Sequence, residues 1–270
     1  MKQVVTYFFL AYGISWLIWL PLYGPHLGIQ GLPVLPYHHA IGGLGPLMAS
    51  FICTAIFGGR VSVLALLKQL FNFKKPLYAA IALLSPFLIA VIAIIIGHFV
   101  DGSPLQFSGL TKNSELPQFS FVLFLLYNLL FFGFGEEVGW RGFALPRLQE
   151  RMNALSTSLL LTVFWAMWHL PLFLYRPGYV NMDAAGAFGW VLSLATGSIL
   201  LTWFYNTTRG SLLVCAIFHA TIDIPFTAAL PSATINGYMG MLITLWGIAT
   251  IIIFKPKNLS RQHRITTNSE

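Results

Sequence analysis

Two adjacent glutamates, Glu136 and Glu137, close a long apolar run that begins at Phe119. One carboxylate inside a bilayer costs roughly 2.5–3.5 kcal/mol on insertion scales, and an intramembrane acid is a functional-site hypothesis by default. Two together cost more, because like charges also repel. Spanning a membrane requires neither. Of the eight acids in the chain, only Glu136, Glu137 and Asp223 fall inside or at the edge of apolar segments. Of the seven histidines, His169 and His219 lie well inside such segments; His26, His38, His39 and His263 lie at or beyond their ends, and His98 near one. Arg141 is the basic residue closest in sequence to the acid pair.

Spacing ties this set together. Glu137 and Arg141 are four residues apart, so on a helix they share a face and an ion pair there lowers the cost of burying the acid. Glu136 is rotated by about 100° from Glu137 and has no second basic residue within a turn, which leaves it for another task. His219 and Asp223 are also four apart, as are Trp165 and His169, whose indole is expected to cover the turn below the imidazole. Acid–base chemistry is one reading of such a set. A structural Glu137–Arg141 pair, a histidine used as a helix–helix hydrogen bond, and the proton relay of a transporter are others, as is a non-catalytic scaffold or immunity protein.

The elements that must position these residues are transmembrane helices. The 270 residues are 57% hydrophobic and 9% charged, against about 25% charged in soluble domains, and the mean hydropathy is +0.75. The fold class expected is all-α, a single polytopic membrane domain over 1–270. Eight spans can be placed, at roughly 4–23, 40–58, 77–99, 118–145, 156–175, 186–206, 211–229 and 236–254, with ends uncertain by about 2–4 residues. Pro and Gly punctuate the gaps. The first run lacks a small-residue cleavage site and reads as a retained helix. The fourth is too long for a perpendicular span and must tilt or leave the bilayer. Residues 60–73 fit a short amphipathic helix on the membrane surface. The basic tail, 255–270, is expected to be loosely ordered. Cys53 and Cys215 sit in apolar runs and give neither a disulfide framework nor a cysteine metal site.

Lys and Arg placement orients the chain. With the N-terminus in the cytoplasm, 13 of the 15 basic residues fall on cytoplasmic segments, and only Lys112 and Arg176 fall outside. This bias fits both termini in the cytoplasm of a bacterial-type plasma membrane. The net charge of +7 is thereby a matter of topology, and no nucleic-acid partner is expected. At 1.5 Å per residue, Glu136 lies ~15 Å from Pro146, His219 ~12 Å from Ser211 and His169 ~20 Å from Ser156. Three helices thus bring acid–base groups to a similar level, expected to be reachable from the cytoplasmic side.

At this point the chain resembles the CPBP intramembrane proteases, the CAAX protease and bacteriocin-processing (ABI) family. The pattern of that family is E-E-x-x-x-R, then F-x-x-x-H, then H-x-x-x-N or a variant. The first part is matched in full by Glu136-Glu137-Val138-Gly139-Trp140-Arg141. The second is Trp165-Ala166-Met167-Trp168-His169, with Trp where Phe is usual; the third is His219-Ala220-Thr221-Ile222-Asp223, with Asp where Asn is common. The similarity covers about residues 118–226. It implies an endopeptidase acting on a membrane-associated peptide or protein tail. It also implies that Glu136 and His169 hold and deprotonate the attacking water, with Glu137 in the same catalytic set. His219 and Asp223 would steady the oxyanion, supported by Arg141 and Trp165.

Asp223 is the departure that matters, because an asparagine amide donates a hydrogen bond and an ionised aspartate does not. Either Asp223 is protonated, or it orients a protonated His219, or it binds a metal. No cofactor is favoured, and the H-E-x-x-H helix of common zinc proteases is absent. A zinc site drawn from Glu136, His169, His219 and Asp223 stays open beside it.

Overall fold

The computed structural model describes residues 1–267; the last three residues of the tail, Glu270 among them, lie outside the described residues. Eight main helices follow the eight apolar segments: α1 (Lys2–Tyr23), α2 (Gly45–Leu70), α3 (Pro76–Asp101), α4 (Phe121–Gln149), α5 (Ala154–Trp168), α6 (Ala184–Thr207), α7 (Leu212–Thr227) and α8 (Thr234–Asn258). Six of them are long and apolar enough to cross a membrane; α5 and α7 are shorter apolar helices. The protein is an all-α integral membrane protein. Among the described residues the β structure is a single isolated bridge, Asn113 to Ala228. Large side chains such as Phe9 (76% exposed) and Phe99 (81%) remain on the outside, as expected of helices whose outer faces meet lipid.

Four helices begin on side-chain caps: α4, α5 and α7, which carry the acid–base residues, and α6 beside them. Ser120, Asn153, Asp183 and Ser211 each accept a hydrogen bond from a backbone N–H of the first turn. A cap of this kind is worth about 0.5–2 kcal/mol and fixes where the helix starts. Two glycines then set how closely α4 packs. A Cβ at Gly133 would stand 2.5 Å from the Ala216 carbonyl oxygen of α7, and one at Gly139 would stand 2.5 Å from the Pro46 carbonyl oxygen of α2. Small residues at such points let backbones approach where lipid supplies no hydrophobic drive between helices.

Two expectations change against the structure, the end of the fifth span and the looseness of the tail, and one, the amphipathic helix after the second span, holds. The fifth span ends early: α5 stops at Trp168, and a separate short helix, Leu172–Tyr175, follows Pro171. Proline lacks the N–H that would continue the ladder and disfavours helix in the residue before it. His169 is therefore the residue that caps α5, not one inside it. The second span bends at Gly59 (φ 65°), and the helix beyond it is amphipathic as expected, with Leu66 5% and Val61 80% exposed. The tail is packed rather than loose over its described part. Leu259 is fully buried, the Asn206 side chain donates to Asn258 O at 2.8 Å, and Arg264 Nε donates to Gln149 O at 2.8 Å. Asn206 and Gln149 are buried at the ends of α6 and α4, and the tail meets their hydrogen-bonding needs.

Candidate active site

The acid pair sits in the middle of α4, on a five-residue α-helical stretch (Gly135–Gly139) between two π-helical ones (Leu129–Phe134 and Trp140–Ala144). π-bulges of this kind concentrate at functional sites. Glu136 and Glu137 point into different surroundings. Glu137 is fully buried, and its Oε1 accepts from Arg141 Nη1 at 3.0 Å and from His219 Nδ1 at 2.6 Å. Glu136 is 4% exposed, lines a cavity of about 510 Å³, and its Oε2 accepts from Trp165 Nε1 at 2.7 Å. The ion pair expected on α4 is present, and the same carboxylate reaches across to α7.

α7 contributes His219 and Asp223. The bond to Glu137 assigns a proton to Nδ1 of His219, because a carboxylate accepts. Its Nε2 lies 3.6 Å from Asp223 Oδ2 and 4.0 Å from Glu136 Oε1. This imidazole is thus enclosed by three carboxylates, with the exposed one, Asp223, toward the cavity (39% for its side chain). α5 contributes Trp165 and His169. His169 Nδ1–H donates to the Trp165 carbonyl oxygen at 2.7 Å, capping the end of the helix and leaving Nε2 with its lone pair. The neighbouring carbonyls of that last turn are taken by α1: the Tyr12 hydroxyl donates to Phe164 O and Trp16 Nε1 donates to Trp168 O. The position of His169 is therefore fixed by α1 as well as by its own helix.

Trp165 does more than cover a turn. Beyond its bond to Glu136, its ring lies 5.1 Å from Arg141 Cζ and meets His219 edge-on at 5.5 Å. All seven residues singled out in the sequence, Glu136, Glu137, Arg141, Trp165, His169, His219 and Asp223, thus meet in one place. Glu136, Trp165, His169, His219 and Asp223 line the cavity, whereas Glu137 and Arg141 stand behind its wall.

Other wall residues were not legible from sequence. His39, set aside above as a residue at a span end, lines the cavity, stacks on Trp19 and pairs its Nδ1 with the Tyr175 hydroxyl at 2.8 Å. Tyr179 lies parallel to His169 at 6.3 Å, and Trp190 meets the same imidazole edge-on at 5.7 Å. Tyr179 comes from a loop with no periodicity to announce it. Asn128 is a polar residue in the α4 run whose spacing links it to none of the motifs, yet it too lines the cavity.

The access expected from the basic end of the bundle is not what the structure shows. The cavity runs from Glu136 toward Glu115, Arg176, Met182 and Thr227, at the opposite end. Depth along the helices placed the residues at a common level; it carried no information on which side of that level is packed shut.

Among the described residues, no three His, Cys, Asp or Glu side chains are grouped so as to hold a metal ion. The arrangement offers a carboxylate beside a cavity, an imidazole with an available lone pair, and an imidazole held by carboxylates on its other side.

Comparison with known proteins adds a relationship. A family profile described as Type II CAAX prenyl endopeptidase Rce1-like matches residues 118–225. A protein named CAAX prenyl protease 2, from Methanococcus maripaludis, is 29% identical over 230 residues, covering 81% of this chain and 82% of that protein.

Proposed function

We infer, for a chain that belongs to the CPBP (Rce1-like CAAX endopeptidase) family of intramembrane proteases and is an endopeptidase of that type, that Glu136 activates the water that cuts the peptide bond. The observation that carries this reading is the placement of Glu136: a buried carboxylate on the wall of a cavity, with one oxygen held by Trp165 and the other left toward His219 at 4.0 Å. Oε1 takes the proton from a water that His169 Nε2 helps to hold. The water attacks the scissile carbonyl, and the resulting oxyanion is met by His219 from Nε2, with Glu137 behind it on Nδ1. Preorganised donors of this kind in a water-poor site are worth several kcal/mol. The proton on Glu136 then passes to the leaving amine, so acid and base are one residue in two steps. Asp223, 3.6 Å from the same Nε2, orients His219 and favours its doubly protonated form. Arg141 offsets the charge of Glu137 and is not asked to touch substrate.

The substrate is a membrane-associated protein or peptide, in our reading of the CAAX-terminal or leader-peptide kind, without nucleic acid. The mainly apolar walls, with Trp190, Leu194 and Ile243 among them, support a hydrophobic segment next to the cut. We place the termini and basic loops in the cytoplasm of a bacterial-type plasma membrane, on the Lys and Arg distribution. The chemistry proposed takes the Glu136 carboxylate as the base and routes no step through a metal. The test is cleavage of a mixed set of prenylated and plain peptides by detergent-purified protein, followed by mass spectrometry, with and without a chelator. Cleavage within twofold in both arms is expected. Loss with chelator, restored by zinc, would replace the carboxylate mechanism with a metal one.

A further inference from the structure

We propose that Asp223 makes the enzyme selective for substrates with a Lys or Arg side chain beside the scissile bond. This rests on the endopeptidase reading above and names the substrate class more closely: a basic residue flanking the cut, within an otherwise apolar segment.

The charges around the cavity do not balance. Its carboxylates are Glu115, Glu136 and Asp223, with Glu137 behind the wall. Against them stand Arg176, paired with Glu115 at 2.6 Å, and Arg141, paired with Glu137 at 3.0 Å. Among the described residues no Lys lines the cavity, and Arg176 is the only Arg that does. The remaining partner is His219, enclosed by Glu136, Glu137 and Asp223. Doubly protonated, it brings the cations to three against four carboxylates; singly protonated, it leaves an excess of two negative charges. Asparagine at 223, the residue common in the motif, would remove one of these charges, and with His219 doubly protonated the count would close. The excess negative charge therefore comes from the one position where this chain departs in charge from the motif.

That excess lies where a substrate meets it. Glu136 is 4% exposed, and among the described residues its Oε1 accepts no hydrogen bond, with His219 Nε2 4.0 Å away. Asp223 reaches further into the cavity. Its Oδ2 is 3.6 Å from His219 Nε2, its side chain is 39% exposed, and its Oδ1 accepts no hydrogen bond among the described residues. His219 Nε2 is the donor that meets the oxyanion, so the residues on either side of the scissile bond lie within a side chain's length of Asp223. A carboxylate withdrawn from water without a counter-charge is costly, and a substrate cation offsets that cost in the complex. An acidic side chain at the same place is repelled. The walls fit the rest of a basic side chain. Tyr179 and Trp190 are half-buried beside His169 and offer rings to an ammonium or guanidinium, and the apolar lining accepts its methylene stem.

The test uses peptides of one leucine-rich host sequence that carry Lys, norleucine or Glu in turn at each position flanking the cut. Norleucine keeps the stem and drops the charge. For wild type, kcat/KM at one of these positions should be at least tenfold higher for Lys than for norleucine, the order expected of a charge-assisted contact, and lowest for Glu. Asp223→Asn should bring the Lys-to-norleucine ratio to within twofold of one, whatever its absolute rate. Asp223→Glu, which keeps the charge, should hold the ratio above threefold. If Asp223 only orients His219, Asp223→Asn slows all three peptides alike and the ratio stays as in wild type; that result would overturn the proposal. So would a wild type with no preference at any position. If Asp223→Asn cuts nothing, the ratio is read as binding, by displacement of the fluorescein-labelled norleucine peptide, and a Lys preference kept by Asp223→Asn would again overturn it. Wild type that binds the Lys peptide preferentially but cuts none of the set would count against the endopeptidase reading and not against this selectivity. Wild type that neither cuts nor binds the Lys peptide would overturn the selectivity itself.

Discussion

Trp165 is the residue through which the parts of the site touch. Its indole N–H holds Glu136, its ring lies over Arg141 and against His219, and its carbonyl oxygen fixes His169. Trp165→Phe keeps a ring and removes one donor. A hydrogen bond to a charged group contributes about 1.5–3 kcal/mol, so kcat should fall roughly ten- to hundredfold with KM little changed. Steady-state kinetics would show this; an unchanged kcat would mean that the bond orients nothing the reaction needs, in keeping with the Phe usual at this place in the motif. Arg141 has a different role. Removing one partner of a buried pair costs about 3–5 kcal/mol, because the other charge is left uncompensated. Arg141→Ala should therefore lower the thermal unfolding midpoint in detergent as well as activity. A variant of normal stability that had lost only turnover would move Arg141 into the chemistry.

At the scale of the elements, the site depends on how closely α4 approaches its neighbours. The 2.6 Å bond between Glu137 on α4 and His219 on α7 forms where Gly133 lets the two backbones meet. A methyl at Gly133 would collide with backbone, which cannot rotate away as a side chain can. Gly133→Ala should push α7 outward, weaken that bond and reduce both stability and cleavage at least tenfold. Gly13→Ala, at a helical glycine with no atom within 4 Å of a new Cβ, should be neutral or slightly stabilising, as alanine usually is in helices by about 0.5–1 kcal/mol. Equal effects from the two would remove close approach as the explanation. The helices themselves were legible, because long apolar runs between Pro and Gly have few other outcomes. Their ends were less so. Pro171 was visible, yet the apolar residues beyond it, Leu172 to Tyr175, extended the pattern past the point where the backbone breaks. The π-helical stretches of α4 left no periodic trace, since the run is apolar on almost every face.

In the whole molecule, the sequence was most informative about which residues meet and least informative about where the opening lies. Ionisable residues in an apolar chain are few, so helical spacing grouped them correctly. The aromatic wall of Tyr179 and Trp190, and the placement of His39, arise from contacts between distant segments with no local signal. The same holds for the described tail, whose basic composition suggested a solvated end but whose Leu259 and hydrogen bonds bind it to α4 and α6. At the centre of all this stands one carboxylate, and the most direct measurement is peptide cleavage by purified wild type and Glu136→Gln side by side. The amide keeps the size of the side chain and can still accept from Trp165, but it takes up no proton from water. Cleavage by wild type and a loss of at least a thousandfold in a folded Glu136→Gln protein is the predicted result. A Glu136→Gln protein that cuts at the wild-type rate would contradict the assignment of Glu136 as the base.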